Sequence, residues 1–222
     1  MLLWILLKSG LAEHWLTNSK KMERWMGCPP FYVYERKIIM FYTMKIAGLE
    51  RNLPMCPLND ELMIAGFVIF GDPELTTACA KELLTKAPEY DYIITAEAKG
   101  IPLAHEMARL QNNQKYFVAR KKPKLYMTGV FESTVKSITT EGEQKLYLDT
   151  ADAELMKGKK ILIVDDVVSL GESLKAVEKL VNDAGGIVCG RMFILAEGDA
   201  ADRDDIIFLE RLPLFDKNGK EI

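Results

Sequence analysis

Residues 161–173 read ILIVDDVVSLGES, and the order of residue types in this stretch sets the fold. The run 161–164 is apolar, β-branched for the most part and free of polar alternation, which predicts a central parallel strand buried on both faces. It leads into two acids, Asp165 and Asp166. A short loop follows, with Gly171 just before a helix that begins near Ser173. Such a helix start presents unpaired N–H groups and the positive end of the helix dipole, a setting that suits a phosphate. Gly171 lets the backbone approach the anion closely, and Ser169 and Ser173 can donate hydroxyl hydrogen bonds. Beside the phosphate, the two carboxylates can accept hydrogen bonds from vicinal hydroxyls. Together these residues describe a cradle for a ribose 5-phosphate.

Outward from this stretch, strands and helices alternate. Residues 61–70 form a mostly apolar run. Residues 73–86 read as a helix, with Pro73 in the first turn and Leu75, Cys79 and Leu83 on one face. A short buried strand is predicted over 92–96, a helix over 101–110 and a strand over 116–120. The polar stretch 121–145 is a long connection, part hairpin and part mobile. A helix over 173–184 carries Leu174, Val177, Leu180 and Val181 at 3/4 spacing, and Gly185 and Gly186 end it. A strand lies within 187–195 and an edge strand over 206–209. These units predict a doubly wound α/β domain with a mostly parallel sheet. Ligands then bind at the carboxyl ends of strands, here after Ala96, Arg120 and Val164. The paired acids alone also suit a strand end with an Asp helix cap, or an acidic pocket of the receiver-domain kind. In receivers, however, the acids follow the first strand, and here they come late.

The 222 residues are 49% hydrophobic, enough for one well-buried domain. A net charge of −3 gives no basic excess for nucleic acid. Cys28, Cys56, Cys79 and Cys189 lie far apart with no CxxC pair, which argues against zinc and a disulfide framework and points to a reduced, cytoplasmic protein. The opening MLLWILL is too short to span a bilayer and lacks a basic leader and cleavage site, so no membrane partner is expected. Residues 1–43 differ from the rest: they hold Trp4, Trp15 and Trp25, and six Lys/Arg against three Glu. Two readings stay open. The segment is upstream sequence before a start at Met44 or Met40, or it is an extension that caps the domain or a dimer partner. The domain proper is read as 44–222.

The stretch 161–173 resembles the phosphoribosyl pyrophosphate (PRPP) signature of type I phosphoribosyltransferases: four apolar residues, two acids, two apolar residues, then small hydroxyl residues and glycine. The resemblance implies the fold of that family with a flexible hood loop. It gives Asp165 and Asp166 the ribose hydroxyls. It gives the PRPP-binding backbone and side chains to Val167, Val168, Ser169, Leu170, Gly171, Glu172 and Ser173. Leu170 departs from the pattern, standing where Thr is usual. The lost phosphate contact costs about 1–3 kcal/mol if nothing compensates. Glu172 is an unexpected charge beside a phosphate.

Two further segments extend the resemblance. AEAKG at 96–100, followed by IPLA, is similar to the pyrophosphate loop of the adenine enzymes. That similarity implies a cis peptide at Glu97–Ala98, Lys99 facing pyrophosphate, and Gly100 closing the loop. RKKPK at 120–124 resembles a string that contacts PRPP oxygens in adenine and xanthine enzymes, which implicates Arg120, Lys121 and Lys124. Residues 125–145 match the family's catalytic hood, with Glu141 as a candidate acid. The likeness covers about residues 50–215. It implies transfer of ribose 5-phosphate to a purine, adenine first and xanthine or guanine second, with Mg²⁺ as cofactor and a homodimer as assembly. The catalytic set it implies is Asp165, Asp166, Glu141 and Lys124. A PRPP-sensing regulator without catalysis and a PRPP synthetase-like domain are the rivals. His14 and His105 are given no role.

Overall fold

The structure, a computed structural model, describes residues 40–112, 115–136 and 143–222. Contacts divide the chain into Met1–Ile38 and Ile39–Ile222. What was expected of residues 1–39 falls outside the described residues, and so does Glu141.

Five parallel strands form the central sheet: β4 (Tyr92–Ala96), β5 (Tyr116–Ala119), β8 (Lys160–Val168), β9 (Ile187–Glu197) and β10 (Ile207–Leu212). Their spatial order is β10-β9-β8-β4-β5, and each neighbouring pair runs parallel. The chain lays down β4, steps to β5 on one side, then crosses to β8 on the other. The order therefore reverses between β4 and β8, which places the ligand crevice of a doubly wound sheet at the carboxyl ends of those two strands.

The helices form where the sequence pattern puts them. In α1 (Pro73–Lys86) the Asp72 side chain caps the start by accepting from the Leu75 N–H at 3.0 Å, and Leu75, Cys79 and Leu83 are buried. Helix α2 (Ile101–Leu110) follows β4 directly. Helix α3 (Thr150–Met156) is capped by Asp149, and α4 (Glu172–Asp183) follows β8, one residue earlier than its sequence spacing suggests. At its end Gly185 adopts φ +78°.

Strand β8 is longer than the expected run 161–164. It runs on through both acids because pairing with β9 continues, Asp165 opposite Phe193 and Val168 opposite Ala196. The acids are thus held by a ladder rather than carried on a loop.

A second, antiparallel sheet joins β1 (Phe41–Ile46), β2 (Leu49–Pro57), β3 (Leu62–Ala65) and β11 (Leu214–Asp216) in the order β1-β2-β3-β11. Only Leu62–Ala65 of the apolar run 61–70 is strand. Strand β1 begins at Phe41, three residues before Met44, so it crosses the boundary expected at 43/44. The polar stretch after β5 contains the antiparallel hairpin β6 (Val130–Lys136) and β7 (Glu143–Asp149).

The core has two parts. One gathers Ile93, Leu162, Val164, Met192 and Ile194 against α1, α2 and the antiparallel sheet. The other packs Ile94, Phe117, Ile161, Ile163 and Phe193 against α4 and the hairpin. Burying both faces explains why the central strands lack polar alternation. No helix among the described residues is long and apolar enough to cross a membrane.

Candidate active site

The turn between β4 and α2 is crowded. The Glu97–Ala98 peptide is cis, and Gly100 sits at the helix start. A Cβ built on Gly100 would lie 2.2 Å from Thr95 Oγ1, 2.5 Å from Asp165 Oδ1 and 3.0 Å from Asp165 Cα. Only glycine lets the first turn of α2 press against β8.

That contact assembles an acidic pair with a cation. Asp166 is 2% exposed and its Oδ2 lies 2.9 Å from Lys99 Nζ. The Asp166 N–H donates to Asp165 Oδ1 at 2.9 Å. Burial, followed by repulsion from Asp166, pushes the Asp165 carboxyl up to about 7, with Lys99 opposing. A group so displaced in a crevice fits a functional site. Lys99 also acts on Glu197, the last residue of β9. There burial raises the carboxyl and Lys99 partly offsets the rise.

The turn after β5 joins the same place. Arg120 exchanges backbone hydrogen bonds with Tyr147 of the hairpin, at 2.8 and 2.9 Å. Its Nη1 donates to Glu97 Oε1 at 3.2 Å, Lys124 Nζ donates to the same oxygen at 3.3 Å, and the Lys121 N–H donates to Oε2 at 3.2 Å. Burial pushes the Glu97 carboxyl up, but these donors outweigh it and hold it below the ordinary range. Arg120 and Lys124 therefore converge on the β4 turn through Glu97. Lys121 reaches that carboxylate with its backbone, and its side chain is exposed.

The third part is the β8–α4 turn. Ser169 and Leu170 are exposed, Gly171 caps α4 at φ +75°, and Glu172 opens the helix. A cavity of about 200 Å³ lies here, lined by Ala96, Asp165, residues 167–174 and, from the hairpin, Gln144. Of the residues implicated by the signature, Val168 is a core side chain, buried at 3%; its backbone, not its side chain, is what it can offer a ligand. Thr95, Gln144, Glu197 and Arg203 also lie here, and no motif in the sequence marks them. Arg203 is the least legible: it sits in the charged string ADRDD, yet its Nη1 lies 2.8 Å from where a Gly171 Cβ would be.

The family model of the phosphoribosyl transferase domain matches residues 74–208. A hypoxanthine/guanine phosphoribosyltransferase of Methanothermococcus okinawensis is 30% identical over 162 residues, covering 69% of this chain and 84% of that protein. An adenine phosphoribosyltransferase of Petrotoga mobilis is 31% identical over 152 residues, covering 66% and 84%. Among solved structures, the adenine phosphoribosyltransferase of Thermoanaerobacter pseudethanolicus shares the fold at a TM-score of 0.53 and 19% identity, over 78% of this chain and 96% of that one. The crevice at the β4/β8 switch point, its paired acids and its glycine-bearing turn lie within the matched span, and the chain belongs to the phosphoribosyltransferase family of glycosyl-transferring enzymes.

Proposed function

We propose that the protein transfers the ribose 5-phosphate of PRPP to a purine base, with release of pyrophosphate. The observation that carries this reading is the convergence, at one switch point, of a buried acid pair, a cation cluster and an open phosphate-sized turn. Asp165 and Asp166 accept hydrogen bonds from the ribose hydroxyls. The backbone of residues 169–173, with Ser169 and Ser173, takes the 5′-phosphate. Lys99, Arg120, Lys121 and Lys124 would face the departing pyrophosphate and stabilise the charge that develops on it. The bond from the anomeric carbon to pyrophosphate oxygen breaks, a bond from that carbon to a purine nitrogen forms, and the base gives up the proton on that nitrogen. No covalent nucleophile is needed; positioning and electrostatics suffice. The hood segment, with Glu141 as its candidate acid, would exclude water from the activated sugar.

Among the described residues no three His, Cys, Asp or Glu side chains converge as a metal cage. Two adjacent carboxylates beside a pyrophosphate subsite instead fit Mg²⁺ that arrives on substrate oxygens, as this ion prefers. Bound that way, the ion would act as a Lewis acid on the leaving group.

Adenine is the first choice of base, supported by the likeness of the AEAKG turn at 96–100 to the adenine enzymes. Guanine, hypoxanthine or xanthine is the second, and within it Glu197 favours guanine. A half-buried carboxylate at the strand end can accept from both N1–H and the 2-amino group of guanine, whereas adenine offers only its 6-amino group on that edge. The test is pyrophosphate release from PRPP and Mg²⁺ with each purine and pyrimidine base in turn. Release with one purine, abolished in the double variant Asp165→Ala, Asp166→Ala, is expected. PRPP binding with no release on any base would instead identify a regulator.

A further inference from the structure

We infer that Arg203 supplies a fixed cation to the 5′-phosphate subsite, in place of the hydroxyl that Leu170 lacks. The inference rests on the reading of residues 169–173 as that subsite. Leu170 is 82% exposed and carries no hydrogen-bonding group. Arg203 follows the turn after β9, and three observations aim it at the loop. Its Nε and Nη2 donate to the two oxygens of Asp205 at 2.8 and 2.7 Å, a bidentate grip that fixes the guanidinium plane. The remaining nitrogen, Nη1, approaches Gly171 so closely that any Cβ there would sit 2.8 Å away. The Arg203 side chain is 29% exposed, so its charge faces less water than a surface arginine's. Asp205 also lies 4.0 Å from Arg191 of β9, which is paired with Glu178 on α4, the helix that the loop opens. The clamp and the loop are thus braced against the same helix.

An arginine held this way presents its Nη1 donor, with a charge partly offset by Asp205, to an anion on the helix start, adding to the N–H groups and dipole already there. It does not touch the reacting carbon, so its effect falls on binding of the sugar phosphate and not on pyrophosphate departure. Gly171 is then required twice over, for its left-handed backbone and for the room it leaves to Nη1.

The test is calorimetric binding of PRPP, ribose 5-phosphate and pyrophosphate, each with Mg²⁺, to the full chain and to Arg203→Gln and Arg203→Lys, with melting curves to check folding. Arg203→Gln is expected to weaken PRPP and ribose 5-phosphate by about 10- to 100-fold and to leave pyrophosphate unchanged. Arg203→Lys keeps the charge without the fork and falls between. Wild-type affinity for ribose 5-phosphate in Arg203→Gln overturns the inference, as does equal weakening of ribose 5-phosphate and pyrophosphate, the mark of a distorted site. If the unaltered protein binds neither PRPP nor ribose 5-phosphate, the subsite reading itself fails and this inference with it.

Discussion

The turns after β4 and after β8 look alike in sequence: a buried strand, small residues, one glycine, a helix. Their construction is opposite. At Gly100 a side chain would strike the β8 backbone and the side-chain oxygens of Thr95 and Asp165. At Gly171, among the described residues, it would meet only the tip of Arg203. The first glycine brings two elements of the protein together; the second keeps a place open and tolerates φ +75°. A glycine at a strand–helix turn can therefore serve packing or serve a ligand, and the difference lies in what a methyl group would hit.

Gly100→Ala should have the largest effect. The methyl group has to displace Asp165 or tilt α2, and overpacking of this kind costs about 1–3 kcal/mol and sometimes more. Either movement separates Lys99 from Asp166 and shifts the acid pair. A displacement near 1 Å at reacting groups can cost about 100-fold in rate. Steady-state kinetics together with a melting curve checks this: kcat/KM should fall by about that factor, with a lower Tm. Near-native activity would mean that the turn has slack the packing denies.

Asp165→Asn comes next, and its two effects have opposite signs. Loss of the charged acceptor for a ribose hydroxyl should lower kcat/KM about 10-fold or more. Stability should rise. The folded Asp165 keeps its proton up to about pH 7, while the unfolded chain loses it near pH 4. Between those values the unfolded state binds fewer protons, so the ligand-free protein loses stability as pH rises through the window, and the full cost remains above pH 7. The variant escapes that cost. Its Tm should exceed the parent's at pH 8, and the gap should close near pH 4. An equal gap at both pH values would show that burial of the carboxyl is not the cause. Charge strain beside a binding crevice is the kind of instability a site retains for function.

Much of this was legible before any coordinates. Helices α1 and α2 span the residues the spacing places them on, and in α1 Asp72, Pro73 and the apolar positions Leu75, Cys79 and Leu83 all agree. The acid pair was legible as chemistry but not as strand. Two consecutive Asp disfavour β structure locally, and only pairing with β9 keeps β8 extended. The antiparallel sheet was hidden because β2 carries Pro54 and β11 has three residues, so neither shows a clean alternation. Glu97 was legible as a turn residue, but its part as counterion to Arg120 and Lys124 requires two turns to meet in space. The same holds for Arg203, whose neighbours in sequence suggest only a solvated charge run.

Gly171→Ala should be milder than Gly100→Ala, which is the direct contrast between the two turns. The left-handed backbone costs alanine about 1–2 kcal/mol, and the methyl group would meet the Arg203 tip and not backbone, so the clamp on Asp205 shifts while β8 and α4 stay in place. The Tm should fall by a few degrees, with weaker ribose 5-phosphate binding and unchanged pyrophosphate binding by calorimetry. A loss as severe as that of Gly100→Ala would mean that the β8 turn is packed against something beyond Arg203.

The smallest effect belongs to Leu170→Thr. An exposed leucine replaced by a hydroxyl residue leaves the core untouched, since Leu170 is 82% exposed. A new hydroxyl at the phosphate turn can add one hydrogen bond, worth about 0.5–1.5 kcal/mol. With Arg203 already at the loop, the gain should sit at the low end, about two- to threefold in PRPP affinity. In the Arg203→Gln background the same substitution should restore more, because the hydroxyl then replaces a missing donor instead of joining one. Titration of PRPP into the four proteins of this cycle measures the difference directly. Equal gains in both backgrounds would mean that residue 170 and Arg203 act on the ligand independently, and that Arg203 does not stand in for the missing hydroxyl.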